Sequence, residues 1–294
     1  MINKPLLSYR REEPERSVLY IVGTPIGNLE DISFRALNIL KKVSLIACED
    51  TRNTAKLLKQ YNISNKLISF HKYSAQDKFN FLISKLISGS SIALVSDAGM
   101  PSISDPGNLL VRKVKENNLD VICIPGACAA ITALVSSGID SSEFSFYGFL
   151  PKSTKERNIK IRQILESPIT AIIYESPKRI IRLLNELKKL FDNEREIVVL
   201  KELTKRYEKH FGLNIDNIID KLAALEIKGE FTIVIAGKKK IYNKVELIEK
   251  DLKKDLIELI KAGLSHSAAS NYLSQKTGKS KNYIYRLILN NDLE

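Results

Sequence analysis

Along the first half of the chain, continuous apolar runs alternate with stretches whose apolar positions recur at helical spacing, which predicts a βαβα succession. Residues 18–26 read as a strand, 32–43 as a helix, 44–49 as a strand and 51–61 as a helix. The order continues with a strand over 66–71, a helix over 75–88, a strand over 91–96, a helix beginning near Asp105 and a strand over 120–124. Five short strands with helices between them predict an α/β fold on a mainly parallel sheet. Ligands of such sheets sit at the carboxyl ends of the strands, so chemistry is expected in the loops that follow them.

After Pro125 the pattern changes. Residues 127–137 form one apolar, Ala-rich helix, and 143–150 an aromatic strand of a different kind. Further strands are predicted over 169–175, 196–203 and 230–236, with helices over 155–165 and 179–190, which makes a second α/β layer. From Lys238 the sequence turns basic and helical, with patterns over 245–261, 265–277 and 282–290. The expected division is an N-terminal extension (1–16), a first α/β domain (17–125), a second (126–238) and a C-terminal helical segment (239–294).

A chain of 294 residues, 44% hydrophobic and 27% charged, is long enough for two cores. Its formal net charge of +12 favours a polyanionic partner such as nucleic acid, although solubility alone selects the same balance. The last 57 residues carry 12 Lys and Arg against 7 Asp and Glu, with Tyr272, Tyr283 and Tyr285 interleaved. They read equally as helices packed on the core or a partner subunit and as a nucleic-acid contact of helix-turn-helix type. The first 17 residues mix both charge signs without a continuous apolar stretch. No later apolar run reaches the roughly 18 residues of a membrane span, so a cytoplasmic protein is expected. Cys48, Cys123 and Cys128 lack metal-ligand spacing and are expected to be buried thiols in a reducing compartment. His71, His210 and His266 are equally scattered and are assigned to the surface or to a satisfied core, so no metal site is expected.

Small and turn-forming residues gather where strands end. In GTPIG, Gly23 and Gly27 remove side-chain bulk around Pro25, while Asn28 and Asp31 are placed to accept backbone hydrogen bonds at the start of the next helix. The loop matches neither G-x-G-x-x-G nor G-x-x-x-x-G-K-[ST], which leaves a binding loop or a tight structural turn. SDAGMPSISDPG sets Asp97 at a strand tip; Ser104, Asp105 and Pro106 suit a helix start, but capping leaves 97–101 unexplained. IPGACAAITAL is a strand, a tight turn and a small-residue helix start, against which a flat ligand or another helix fits. ACEDTRNT ends the second strand with Glu49, Asp50 and Arg52, where adjacent carboxylates are costly unless Arg52 or a cationic ligand compensates. YESPKRI repeats the theme: Glu175 ends a strand, and Lys178 and Arg179 follow where a phosphate backbone would be met.

Taken in order, GTPIGNLEDISFRAL, CEDTRNT, SDAGMPSISDPG, IPGACAAITAL, FYGFLPK, YESPKRI and KELTKRYE resemble the ribosomal RNA small subunit methyltransferase I family of the tetrapyrrole methylase superfamily. The likeness covers residues 18–237. It implies two α/β domains of the class III methyltransferase type with S-adenosylmethionine folded into the cleft between them. It also implies a homodimer that methylates the ribose 2′-hydroxyl of a cytidine in the decoding region of 16S rRNA within the small ribosomal subunit. Motif by motif, the resemblance implies cofactor contacts at Thr24, Pro25, Asp97, Ala98, Met100, Pro101, Ala127, Cys128 and Ala129, with Tyr174, Leu203 and Thr232 from the second domain. Lys201 departs from the family, in which many members carry Arg before the glutamate.

A ribose hydroxyl is a poor nucleophile at neutral pH, so a carboxylate within hydrogen-bond reach is needed to take its proton. Glu49, Asp50, Glu175 and Glu202 are the candidates, with Glu49 and Asp50 expected nearest the reacting ribose. Arg52, Lys178, Arg179 and Lys205 are expected to hold RNA phosphates. Two rival readings are methylation of a small tetrapyrrole by the same fold and a non-catalytic RNA-binding protein; the positive charge speaks against the first, and a cofactor cleft would speak against the second.

Overall fold

The computed structural model describes residues 13–71, 76–103, 107–191, 195–238 and 244–289, the side chains of 244–250 and 288–289 excepted. The chain divides into two compact units, Met1–Lys238 and Lys239–Glu294. In the first unit, β1 (Val18–Val22), β2 (Leu45–Cys48), β3 (Leu67–Ser69), β4 (Ile92–Val95) and β5 (Asp120–Ile124) form a parallel sheet in the order β3-β2-β4-β1-β5. Strand β1 has a neighbour on each side and buries all five of its residues, which is why it reads as an unbroken apolar run. Helices α1 (Phe34–Lys42), α2 (Thr51–Gln60), α3 (Gln76–Ile87) and α4 (Asn108–Glu116) alternate with these strands. One core holds Tyr20, Val22, Ile39, Ile46 and Leu58; the other holds Leu19, Ile21, Leu82, Leu86 and Leu110. Each fully buried Leu or Ile contributes roughly 1.5–3 kcal/mol, so strands covered on both faces are firm anchors for the loops at their ends.

One helix start differs from the sequence reading. Asn28 caps a one-turn 3-10 helix, Leu29–Asp31, by accepting the Glu30 N–H at 3.1 Å, whereas α1 is capped by Ser33, which accepts the Ala36 N–H at 3.1 Å. Helix α4 follows Gly107, which makes no side-chain cap; Ser104, Asp105 and Pro106 lie outside the described residues.

The second sheet contains β6 (Phe144–Phe149), β7 (Thr170–Glu175), β8 (Ile197–Lys201), β9 (Lys209–Leu213) and β10 (Phe231–Ile235) in the order β6-β7-β10-β8-β9. Strands β6 and β7 run parallel, and the other pairs antiparallel. Helices α6 (Thr154–Glu166), α7 (Ile180–Lys188) and α8 (Ile215–Ala223) cover one face, where Ile161, Leu184 and Ile218 pack with Ile173, Val199 and Ile233. The other face takes α5 (Ala129–Ser137), whose Ala130, Ala133 and Leu134 pack with Ile172, Val198, Leu200 and Val234. The Ala-rich composition of α5 is explained by this close seating. Neither β9 nor α8 is in the sequence reading. Strand β9 is an edge strand that buries only Phe211, while α8 buries Ile215, Ile218 and Leu222 and is capped by Asn214.

The second unit consists of α9 (Lys244–Lys261), α10 (His266–Thr277) and α11 (Lys281–Leu289) around Leu256, Ala269, Leu273 and Ile284. Cys48 is buried and Cys128 half-buried, but Cys123 on edge strand β5 is exposed, contrary to the expectation of three buried thiols. His210 pairs with Glu208 at 2.7 Å; His266 stacks on Tyr285, and its Nε2 has no hydrogen-bond partner among the described residues, so it is not a satisfied core histidine. Among the described residues no helix is long and apolar enough to cross a membrane.

Candidate functional site

Backbone contacts tie together the loops after β1, β4 and β5. Thr24 and Gly99 exchange two backbone hydrogen bonds, of 2.9 and 3.1 Å, and the Thr24 hydroxyl lies 3.3 Å from the carbonyls of Ser96 and Gly99. The Gly23 N–H donates to the Ile124 carbonyl at 3.2 Å, and a Cβ at Gly23 would stand 2.7 Å from Gly126 Cα and 2.6 Å from Met100 Sδ. Glycine at 23 is therefore required by packing. Gly27 abuts residues 203–205 beyond β8, and the Asn28 N–H donates to Thr204 Oγ1 at 3.1 Å, so the first loop touches segments from both sheets.

Between these loops and the second sheet lies a cavity of about 380 Å³. Seven of the expected cofactor contacts line it together: Asp97, Ala98, Met100, Cys128, Ala129, Tyr174 and Thr232. Tyr174 is oriented by the Ala130 N–H, which donates to its hydroxyl at 3.0 Å, and by edge-to-face packing on Phe146. Ile26, Phe149 and Phe231 add apolar wall that the sequence reading does not include. The other expected contacts have different places. Thr24, 1% exposed, ties loops; Leu203 and Ala127 belong to the core beneath α5; Pro101 lines a small pocket beside Glu49.

Pro25 lines a second hollow of about 490 Å³, between the first loop and α2. Pro25, Ile26, Gly27 and Leu29 form one side, and Asn53, Lys56, Leu57 and Gln60 the other. Ile26, Asp97, Ala98 and Glu230 line both hollows, so the two meet there. The four α2 residues were legible as one helical face, because positions 53, 56, 57 and 60 follow the 3.6-residue period.

The four candidate carboxylates have unlike surroundings. Glu49 lines the first cavity, and burial followed by the negative charge of Asp97 pushes its carboxyl above the usual range, despite the Asp97 N–H bonded to it. Asp50 caps α2 by accepting the Arg52 N–H at 2.8 Å and pairs with the Arg52 guanidinium at 2.6 and 3.0 Å, so its carboxyl is lowered to about 2. Such a group is a weak base. Glu175, 2% exposed, accepts from the Ser176 N–H and from Arg179 Nε, both at 2.7 Å. Glu202, at φ 55°, accepts from Lys205 Nζ and from the Glu230 N–H, both at 2.9 Å. Burial pushes its carboxyl up, but these donors outweigh it and hold the group below the usual range.

The candidate cations also divide. Arg179 spends its guanidinium on Glu175 and the Leu150 carbonyl, which counts against a phosphate role. Lys205 lines the second hollow between Glu202 and Glu230; Lys178 is exposed, as is Arg52. The first cavity, with apolar walls, small side chains and a few polar groups, fits a medium-sized amphipathic ligand, for which sites of roughly 300–1,000 Å³ are usual.

The family model of the Tetrapyrrole (Corrin/Porphyrin) Methylases matches residues 18–219. Uroporphyrin-III C-methyl transferase from Thermus thermophilus, solved in complex with S-adenyl homocysteine, shares the fold at a TM-score of 0.53 and 13% identity, over 74% of this chain and 96% of that one. Ribosomal RNA small subunit methyltransferase I of Haemophilus influenzae is 43% identical over 92% of this chain and 95% of its own length, and its namesake from Synechocystis sp. is 40% identical over 92% and 97%. The chain belongs to the tetrapyrrole methylases and, within them, to the ribosomal RNA small subunit methyltransferase I family.

Proposed function

We propose that this chain is an S-adenosylmethionine-dependent methyltransferase that modifies the ribose 2′-hydroxyl of a cytidine in the decoding region of 16S rRNA. The observation that carries the reading is the meeting of two hollows at Asp97, Ala98, Ile26 and Glu230, one walled by apolar residues and one lined by amides and cations. The names of the relatives support the reaction and the substrate, and the S-adenyl homocysteine complex of a protein of the same fold supports the cofactor. In this reading residues 17–125 and 126–238 are two domains gripping one ligand, and the chain acts as a cytoplasmic homodimer on the small ribosomal subunit.

Bound in the first cavity, S-adenosylmethionine supplies an electrophilic methyl group. Met100, Phe149 and Phe231 exclude water there, while Asp97, Tyr174 and Thr232 offer polar partners. Holding both reactants in a near-attack geometry is worth about 7–11 kcal/mol. Glu49 takes the proton of the 2′-hydroxyl, because a carboxyl raised toward the working pH is the better general base. Asp50, Glu175 and Glu202 keep structural tasks. Arg52 and Lys178, both exposed, hold RNA phosphates, whereas Lys205, like Arg179, is already engaged by carboxylates.

The test is incubation with methyl-labelled S-adenosylmethionine and either undermethylated small subunits or a precorrin. Label on a cytidine ribose of 16S rRNA is the expected result. Label on the precorrin alone would overturn the reading in favour of the small-molecule alternative. No cofactor binding at saturating concentration would favour a non-catalytic RNA-binding protein.

A further inference from the structure

We propose that the hollow between the first loop and α2 receives the base of the target nucleotide, and that Gln60 reads its Watson–Crick edge. The inference rests on the rRNA reading of the site. A ribose held at the reaction centre carries its base with it, and that base needs a place next to the cofactor cavity. This hollow shares Ile26, Asp97, Ala98 and Glu230 with that cavity.

Its walls suit a flat heterocycle. Pro25, Ile26 and Leu29 face Leu57 across the hollow, and amides and a cation stand among them on α2. The slot is built before any base arrives: the Tyr61 hydroxyl donates to the Leu29 carbonyl, which fastens the loop to the end of α2. Asn53 Nδ2 donates to Asp97 Oδ2 at 2.9 Å, which fixes the end of the slot nearest the cofactor cavity. Gln60 lies seven residues further along the same helix, about 10 Å at 1.5 Å per residue, comparable to the span from a ribose to the far edge of its base. The Gln60 amide at that distance presents both an acceptor and a donor to the Watson–Crick edge, and by turning end for end it matches the order of donor and acceptor that either pyrimidine offers. A phosphate would find less here, since Lys205 is already engaged by Glu202 and Glu230, and Asn53 and Gln60 carry no charge.

The test compares methylation of two otherwise identical undermethylated small subunits, carrying cytidine or an abasic ribose at the target position, by wild type, Gln60→Ala and Gln60→Glu. Gln60 is exposed at the end of α2, so neither substitution disturbs the core. Wild type is expected to prefer cytidine to the abasic ribose, and Gln60→Ala to lower that preference by about tenfold or more. Gln60→Glu is expected to retain it, because a carboxylate still accepts from the exocyclic amine. A cytidine-to-abasic ratio unchanged in Gln60→Ala, including an equal loss on both substrates, overturns the base slot and leaves the methyltransferase reading standing. Wild type that methylates neither RNA overturns both.

Discussion

The carboxyl edges of the two sheets carry similar short sequences, an acid at a strand end with cations close behind, yet they use them in opposite ways. At the second sheet, Glu175, buried, and Glu202, half-buried, are satisfied by Arg179, Lys205 and backbone N–H groups. At the first, Asp50 turns its charge onto Arg52 and the start of α2, while its neighbour Glu49 is left beside Asp97, a like charge, in a half-buried place. One edge is built from ion pairs that hold a wall in shape. The other keeps one carboxylate under electrostatic stress, which is where a proton acceptor gains from its surroundings.

This contrast breaks first at Glu49. Glu49→Gln is expected to lower turnover by about 10²–10⁴-fold with little change in cofactor affinity, as read from single-turnover methylation beside calorimetric titration. Wild-type turnover should rise with pH through the raised ionisation of Glu49, and that limb should vanish in the variant. The sign for stability is opposite. A carboxyl raised in the folded state costs stability once pH passes above its unfolded value, so Glu49→Gln should be no less stable than wild type at neutral pH.

The next largest effect is expected on the other edge. Glu175→Ala leaves Arg179 without its buried partner and should cost about 3–5 kcal/mol in urea unfolding. Gly126→Ala sets a Cβ 2.8 Å from Gly23 Cα; the strain should cost about 1–3 kcal/mol and weaken cofactor binding by displacing the loops. The smallest effect is expected at Asp50. Asn is as good an N-cap as Asp, so Asp50→Asn should keep both stability and turnover close to wild type at neutral pH. Because the Asp50 carboxyl is lowered to about 2, its contribution is present above the ordinary aspartate range and lost as pH falls toward 2, so in acid titration of unfolding the small difference between the two proteins should vanish there. A large loss of turnover in Asp50→Asn would make Asp50 the base and erase the contrast.

Much of this arrangement was legible in the sequence. The fully buried β1, β2 and β4 announce themselves as apolar runs, and the glycine and proline clusters after the strands mark loops that do converge. Edge strand β9 was not legible, since one buried Phe211 leaves no pattern. Helix α8 carried its periodic Ile215, Ile218 and Leu222 and was legible in principle. Among site residues, small and turn-forming positions could be found, because close backbone approach demands them. Apolar walls such as Phe149 and Phe231 look like ordinary strand residues until the sheet shows which face they line. The division of labour among the carboxylates was also hidden, since it depends on which cation or N–H each one meets in space.

The account depends most on the first cavity holding the cofactor. Calorimetric titration of S-adenosylmethionine into wild type and Ala129→Phe tests this directly, because the larger side chain at the start of α5 would occupy the cavity. The account predicts one molecule bound per wild-type chain and no measurable binding by the folded variant. Equal binding by both proteins, or none by wild type, would contradict it.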